Sequence, residues 1–235
     1  MSCIAGHLLL QDLLAIHMVR ERSTSTIISY HAISDVKTTS AQHLRSLVQR
    51  TGDSVYWSKI FKKSKDPTFL FIAILWYAVY AWDEAFEALY GHITELVRMV
   101  IDCLILFSTS IQESEVLRTH EIELTRELHK VEAHLLHYKQ LLQDFKKSVI
   151  FVKDTPNPVT ESGKMTKQER KMAARAREDS KNLMDKETHN LLSEIERLEG
   201  QRSMYSDRLQ NVMRLVRFRP SLPDVAHTFQ GVREC

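Results

Sequence analysis

The apolar residues of this chain fall into long periodic series. From Thr68 the spacing is helical, and Gly91 is the only breaker before Pro156. Phe86, Tyr90, Ile93, Val97, Val100, Leu104 and Phe107 recur at alternating steps of four and three. That spacing keeps one face of a helix turned to a core. A polar stretch, Ser108 to Glu115, reads as a turn. The series then restarts at Leu117 and runs through Leu124, Leu128, Val131, Leu135, Tyr138, Leu142, Phe145 and Val149, with Glu121 as its one polar member. An amphipathic helix of about nine turns follows. Asp154-Thr155-Pro156-Asn157-Pro158 stops it, because proline lacks the N–H that a helix interior needs. A third series comprises Met184, Thr188, Leu191, Ile195, Leu198, Arg202, Tyr205, Leu209, Val212 and Val216. Its steps alternate throughout, as in the seam of a coiled coil. Gly200 weakens that helix by about 1 kcal/mol relative to alanine.

The flanks read less regularly. Residues 1–25 predict a short helix and a Ser/Thr turn, and Thr26–His31 (TIISYH) predicts a short β-rich strand. Thr39 to Arg50 predicts a helix capped by Thr39 or Ser40 and broken at Gly52-Asp53. Lys59 to Lys65 reads as a basic turn, and Pro67 suits the start of the next helix. The chain thus divides into a partial N-terminal domain remnant (1–67), a long helical pair (68–153), a flexible basic linker (154–180), a stalk-like coiled-coil helix (181–216) and an irregular tail (217–235). The expected fold is mainly α: long antiparallel amphipathic helices with a coiled-coil stalk, with room for one short N-terminal strand. No such helix buries its stripe alone. The Pro-Asn-Pro break lets the middle and last helices fold back antiparallel. Leu124, Leu128, Val131, Leu135 and Leu142 then cover the seam, leaving some apolar surface for weak self-association.

Composition sharpens this. The 235 residues carry 32 Lys+Arg against 30 Asp+Glu, a net charge of +2. That argues against a nucleic-acid binder built on global charge. Only 6 Gly and 5 Pro are present, about 5% of the chain where about 12% is average. Long helices are favoured over a β-sandwich or a loop-rich enzyme. Cys3, Cys103 and Cys235 form no disulfide framework, so a reducing, cytoplasmic setting is expected. Leu8 to Val19 is interrupted by Gln11, Asp12 and His17 and does not read as a signal peptide. The most apolar run, Phe69 to Ala81, has 13 residues, whereas a bilayer span needs about 20. Asp83, Glu84 and Glu87 close it. A core helix is expected there, with no transmembrane span.

Candidate chemistry is sparse. His120, His129, His134 and His137 lie on the middle helix. His134 and His137 are spaced to share a face, and Glu132 stands three residues after His129, as helical metal ligands do. They lie off the apolar seam and lack partners from another element, so solvent-facing histidines are expected and no metal site is assigned. Glu161-Ser162-Gly163-Lys164-Met165-Thr166 fails as a phosphate loop, with Pro158 where the first glycine belongs and Met165 where Ser or Thr belongs. The basic run 164–177 has the composition of a nuclear address or a phospholipid contact. Glu169, Glu178 and Asp179 dilute it toward a solvated linker. Trp76, Tyr77, Tyr80, Trp82, Phe86 and Tyr90 at helical spacing read as core. No nucleophile–base pair stands out, and the chain is expected not to be an enzyme and to need no cofactor.

Several segments in order resemble a fungal group of CorA-like magnesium transporters: GDSVYWSKIF, DPTFLFIAILWYAVYAWDEAFEALYGHI, LTRELHKVEAHLLHYKQLLQDFKKSVIFV, TPNP and NLLSEIERLEGQRSMYSDRLQNVMRLV. The resemblance covers about residues 26–216. It implies a soluble domain ahead of a very long stalk helix, with Leu191 to Val216 as lower stalk and the two preceding helices as its brace. By the same resemblance Met213 matches a pore-facing methionine and Asn211 lies near a pore-facing asparagine. Leu191, Ile195, Leu198, Leu209, Val212 and Val216 form the packing seam. Magnesium enters only as the transported or regulatory ion, and homo-oligomerisation through the stalk helix is implied. After Val216 the family continues into an apolar span and a Gly-Met-Asn signature. Here RFRPSLPDVAHTFQGVREC follows instead, so the expectation is a truncated, stalk-bearing portion without its own pore. The alternative is a stand-alone coiled-coil interaction protein.

Overall fold

The structure, a computed structural model, describes residues 2–4, 7–9, 14–21, 24–31, 40–64, 66–109, 115–155 and 166–217. The fold is mainly α. In chain order the elements are β1 (Ser2–Ile4), β2 (His7–Leu9), β3 (Leu14–Glu21), β4 (Thr24–His31), α1 (Ala41–Asp53), α2 (Val55–Ser64), α3 (Phe69–Thr109), α4 (Glu115–Asp154) and α5 (Lys167–Arg217). Two compact units are formed, Met1–His92 with Leu136–Arg202 and Ile93–Leu135 with Ser203–Cys235. Each long helix contributes a stretch to both.

The N-terminal region departs from expectation. In place of a short helix and a turn there are two antiparallel hairpins, β1 with β2 and β3 with β4. Leu8 to Val19 is rich in leucine and reads as helix locally, but strand pairing overrides that weak preference. In β3–β4, Met18 lies opposite Ile27 and Ile16 opposite Ser29. These four are half-buried while Val19, Ile28 and Tyr30 on the other face are exposed. The period-two alternation of β4 is the strand signal that TIISYH carries.

Ser40 caps α1, its Oγ accepting from the His43 N–H at 3.2 Å. Leu44, Leu47 and Thr51 form its buried face, and the Thr51 hydroxyl donates to the Leu47 carbonyl at 2.8 Å. Of the expected basic turn at Lys59–Lys65, residues 59–64 are instead the end of helix α2, and Lys65 lies outside the described residues. Trp57, Ile60, Phe61 and Ser64 share one face at helical spacing and turn inward, which leaves Lys59, Lys62 and Lys63 exposed. Asp66 then bridges to α3. Its Oδ1 accepts from the Thr68 N–H (2.9 Å) and hydroxyl (2.6 Å), and its own N–H donates to Ser64 Oγ at 3.3 Å. All three residues are buried, and each polar group among them has a partner nearby, as burial demands.

In the first unit α3, α4 and α5 pack as an up-down-up bundle. Trp82 and Tyr138 meet edge to face with centroids 5.9 Å apart, joining α3 to α4. Arg197 of α5 donates to Asp83 of α3 at 2.6 Å. Lys146 and Lys153 of α4 reach Glu196 and Asp185 of α5 at 3.4 and 3.5 Å. These pairs run α4 antiparallel to α5, as the Pro-Asn-Pro break predicts. Ile60, Phe69, Ile72 and Met184 close one end, with Trp57, Phe61, Leu75, Trp76, Leu183 and Val152 packed around them. In the second unit Ile93, Leu96, Val100, Leu124, Leu128, Val131, Leu135, Tyr205, Leu209 and Val212 are buried, and Arg208 of α5 donates to Thr94 of α3 at 3.3 Å.

The α4 series is buried as the spacing predicts at Leu124, Leu128, Val131, Leu135, Leu142 and Val149. Tyr138, Phe145 and Glu121 are half-buried. On α3 the face rotates by one residue. Leu89, Leu96 and Cys103 are buried, whereas Tyr90 is exposed and Val97 and Leu104 are half-buried. The sequence is apolar on both tracks, and the periodic rule has no way to rank them. The Phe107 and Leu117 side chains fall outside the described set. Of the expected polar turn at Ser108–Glu115, Ser108, Thr109 and Glu115 are helical and residues 110–114 lie outside the described residues. The larger correction concerns the basic linker: α5 begins at Lys167, so residues 167–180 are helix. Alanines at 173, 174 and 176 favour that, and a capping box closes the start. Glu169 accepts from the Thr166 N–H (2.7 Å) and hydroxyl (2.8 Å), and the Glu169 N–H donates back to Thr166 Oγ1 at 3.3 Å. Residues 156–165 and the tail after Arg217 lie outside the described residues.

Ile195 and Leu198 are fully buried, each 0% exposed. Replacing both with alanine is expected to destabilise the chain by about 4–8 kcal/mol, at about 2–4 kcal/mol for each buried side chain. A denaturant midpoint unchanged in the double variant would mean that the seam faces solvent.

Candidate functional site

The seam of α5 is the feature most fully built by the fold. Leu191, Ile195, Leu198 and Leu209 are 0% exposed, Val212 is 6% exposed, and Val216 is half-buried at the end of the described chain. Thr188 occupies a seam position at 0% exposure because its hydroxyl donates to the Met184 carbonyl at 2.8 Å. A helical threonine can satisfy itself this way without a partner on another element. Arg202, the second polar seam position, is half-buried and its Nε has no hydrogen-bond partner.

Of the two pore-facing positions the resemblance marks, Met213 is buried at 8% exposure and joins the internal packing, whereas Asn211 is exposed. Met204 and Leu215, 54% and 56% exposed, lie on the same side of α5 as Asn211. That outer strip lies apart from the buried seam.

Sequence reasoning overlooked two buried acids, Asp66 ahead of α3 and Glu187 on α5. Glu187, 2% exposed, accepts a short hydrogen bond from the phenol of Tyr56 on α2. The Tyr56 ring stands 53% exposed while its hydroxyl reaches inward. A buried carboxylate needs such a donor. The bond fixes α2 against α5 at the end where Ile60 meets Met184. Burial, then the Glu187 carboxylate, push the Tyr56 phenol well above its usual range. Glu187 sits beside a seam threonine, and the signal for it was an acid next to an apolar series. Reading it needed the position of Tyr56, 131 residues away in sequence.

The histidines form no centre. His120, His129 and His137 are exposed and His134 is half-buried. His129 Nδ1 lies 3.5 Å from a Glu132 carboxylate oxygen, and the His137 ring is tilted at 44° to Tyr138 with centroids 6.3 Å apart. Among the described residues no three His, Cys, Asp or Glu side chains converge to hold a metal. The aromatic series divides. Phe86 is buried, Trp76, Tyr77 and Trp82 are half-buried, and Tyr80 and Tyr90 are 58% and 45% exposed. Burial also pushes the Tyr138 phenol upward, beneath Trp82 and Phe86. The apolar run Phe69–Ala81 lies inside one long helix. By length and composition Phe69–Ile105 is apolar enough to cross a membrane, and 28% of its most apolar window is buried. The core helix of a soluble protein passes the same test of length and composition, but is mostly buried.

Tyr56→Phe removes the donor to a buried carboxylate and is expected to cost about 1–3 kcal/mol at neutral pH. The folded-state pKa of Tyr56 is raised above the unfolded value of 10.0, so its contribution is complete below pH 10 and lost as pH rises beyond it. Stability curves from neutral pH to above pH 10 should therefore converge for wild type and Tyr56→Phe on the alkaline side. Parallel curves would show that the phenol does not hold Glu187.

Comparison with protein-family models, with curated proteins and with solved structures finds no match to this chain.

Proposed function

We propose that this chain is the soluble, stalk-bearing portion of a CorA-like divalent-cation transporter, with magnesium as the ion concerned and no enzymatic activity. The observation that carries the reading is α5. It is a helix of 51 residues whose apolar positions keep a coiled-coil spacing, braced by α3 and α4. Four of the five ordered sequence segments that resemble the family lie on these elements and on α1 and α2, whereas TPNP follows the end of α4. In this reading the α5 seam belongs to the brace within one protomer. The outer strip with Met204, Asn211 and Leu215 is then the face that meets other copies. Asn211, rather than Met213, is the pore-directed residue. The chain by itself works at the cytoplasmic side, has no nucleic-acid partner and does not conduct.

A second reading, a stand-alone coiled-coil interaction protein, draws on the same strip. Met204 and Leu215 expose apolar surface off the seam, and a partner helix would cover it.

Two measurements test the proposal. The transcript read beyond the Val216 codon should include a form encoding an apolar segment of about 20 residues followed by Gly-Met-Asn. If every transcript keeps the polar continuation, the transporter reading fails and the interaction protein stands. The 235-residue chain itself should be released from membranes by carbonate. Retention, with Phe69–Ala81 protected from protease, would make α3 a membrane helix and overturn the soluble assignment.

A further inference from the structure

The start of α5 carries a run of exposed cations. Residues 166–179 are exposed except for half-buried Ala173, so this stretch of helix stands with little tertiary cover. At about 100° per residue, Lys167, Arg170, Lys171, Arg175, Arg177 and Lys181 fall within about 160° of arc and about 21 Å of length. Two of the acids that dilute the run in sequence, Glu169 and Asp179, fall outside that arc. Glu178 is the one acid inside it. Among the described residues Lys167, Arg170, Lys171, Arg175 and Lys181 have no ion-pair partner.

The arc has a defined place on α5. Asp185 follows Lys167 by 18 positions, about five full turns, so both point the same way. Asp185 and Glu196 are the residues that α4 grips, through Lys153 and Lys146. The cationic arc is therefore the downward continuation of the flank that α4 occupies. Since α4 ends at Asp154, that flank runs on for about 27 Å with no cover from α4. Where α4 covers it, the flank presents acids to lysines. Beyond α4 the signs reverse. Lys167, Arg170 and Lys171 also stand near the positive end of the helix dipole, where cations are disfavoured and anions favoured. The twelve residues that join α4 to α5 carry one acid, Glu161, and one base, Lys164, and so bring no net negative charge.

We propose that this flank is a docking site for an acidic helix of a partner protein, lying in line with α4 along the first turns of α5. A helix is the occupant because the flank is already one helix wide where α4 fills it. Carboxylates at intervals of three and four residues meet the row of cations. The arc itself holds no residue more apolar than Ala174, so it offers nothing to insert into lipid and no ring to stack on a nucleic-acid base. The site is independent of the transporter reading, because it uses neither the seam nor the Asn211 strip.

The test uses the full chain and a fluorescein-labelled, alanine-based helical peptide with glutamates at positions i, i+3, i+4 and i+7. Anisotropy should show binding at low salt that about 0.5 M salt abolishes. The triple variant Lys167→Glu, Arg170→Glu, Lys171→Glu should bind on the order of tenfold to a hundredfold more weakly. It should instead take up the peptide with lysines in place of glutamates. Glutamates in the first turns suit the helix dipole, so its circular dichroism should match wild type. Equal binding by wild type and variant overturns the proposal. So does tighter binding, per unit charge, to phosphatidylserine vesicles or to a duplex DNA, which would make the anion a bilayer or a nucleic acid.

Discussion

Everything in this fold depends on one constraint: a helix with an apolar stripe as long as that of α5 has to be covered. Leu191, Ile195, Leu198 and Leu209 lose all their accessible surface, and at about 25 cal/mol per Å2 such burial outweighs any local preference in the chain. The cover comes from α3 and α4, which cannot bury their own stripes either. The arrangement is mutual, and removing one helix would strand the other two. The two polar seam positions differ: Thr188 turns its hydroxyl on its own backbone, whereas the Nε of Arg202 has no partner among the described residues.

The ion pairs around the bundle decide register more than stability. Arg197 bridges Asp83 and Glu194, and hydrogen bonds to those carboxylates raise its pKa further. These groups are partly exposed, and exposed pairs contribute little. Their value is directional. Asp83 with Arg197 and Lys153 with Asp185 are satisfied only when α3 runs with α5 and α4 runs against it. Tyr56 and Glu187 are different in kind, because the acid is buried and would otherwise be uncompensated. That bond ties α2 to the bundle and makes the N-terminal elements of the first unit more than an appendage.

The proposed function and the proposed docking flank use opposite properties of α5. Its apolar track is consumed inside the chain and gives it length and rigidity. Its other faces remain outward: an apolar and amide strip at Met204, Asn211 and Leu215, and a cationic arc at Lys167 to Lys181. A long helix can carry several such faces because successive turns present different residues at the same azimuth.

The sequence by itself determined the helical class, the three long helices, the end of α4 ahead of Pro156, and the buried members of α4 and α5. Period-3.6 series of large apolar residues admit few other solutions. It also marked TIISYH as a strand. Only tertiary structure decided the rest. On α3 both the Leu89–Leu96–Cys103 track and the Tyr90–Val97–Leu104 track are apolar, and neighbouring helices chose the first. Leu14–Glu21 has helical composition but pairs with β4, because cross-strand contacts are invisible to a local pattern. The charged stretch 167–180 reads as linker for want of an apolar stripe, yet a capping box and the continuing helix beyond Met184 carry it as helix. Segregation of its cations from Glu169 and Asp179 exists only once the helix forms. Glu187 takes its hydrogen bond from the phenol of Tyr56, which is remote in sequence and only tertiary structure places beside it.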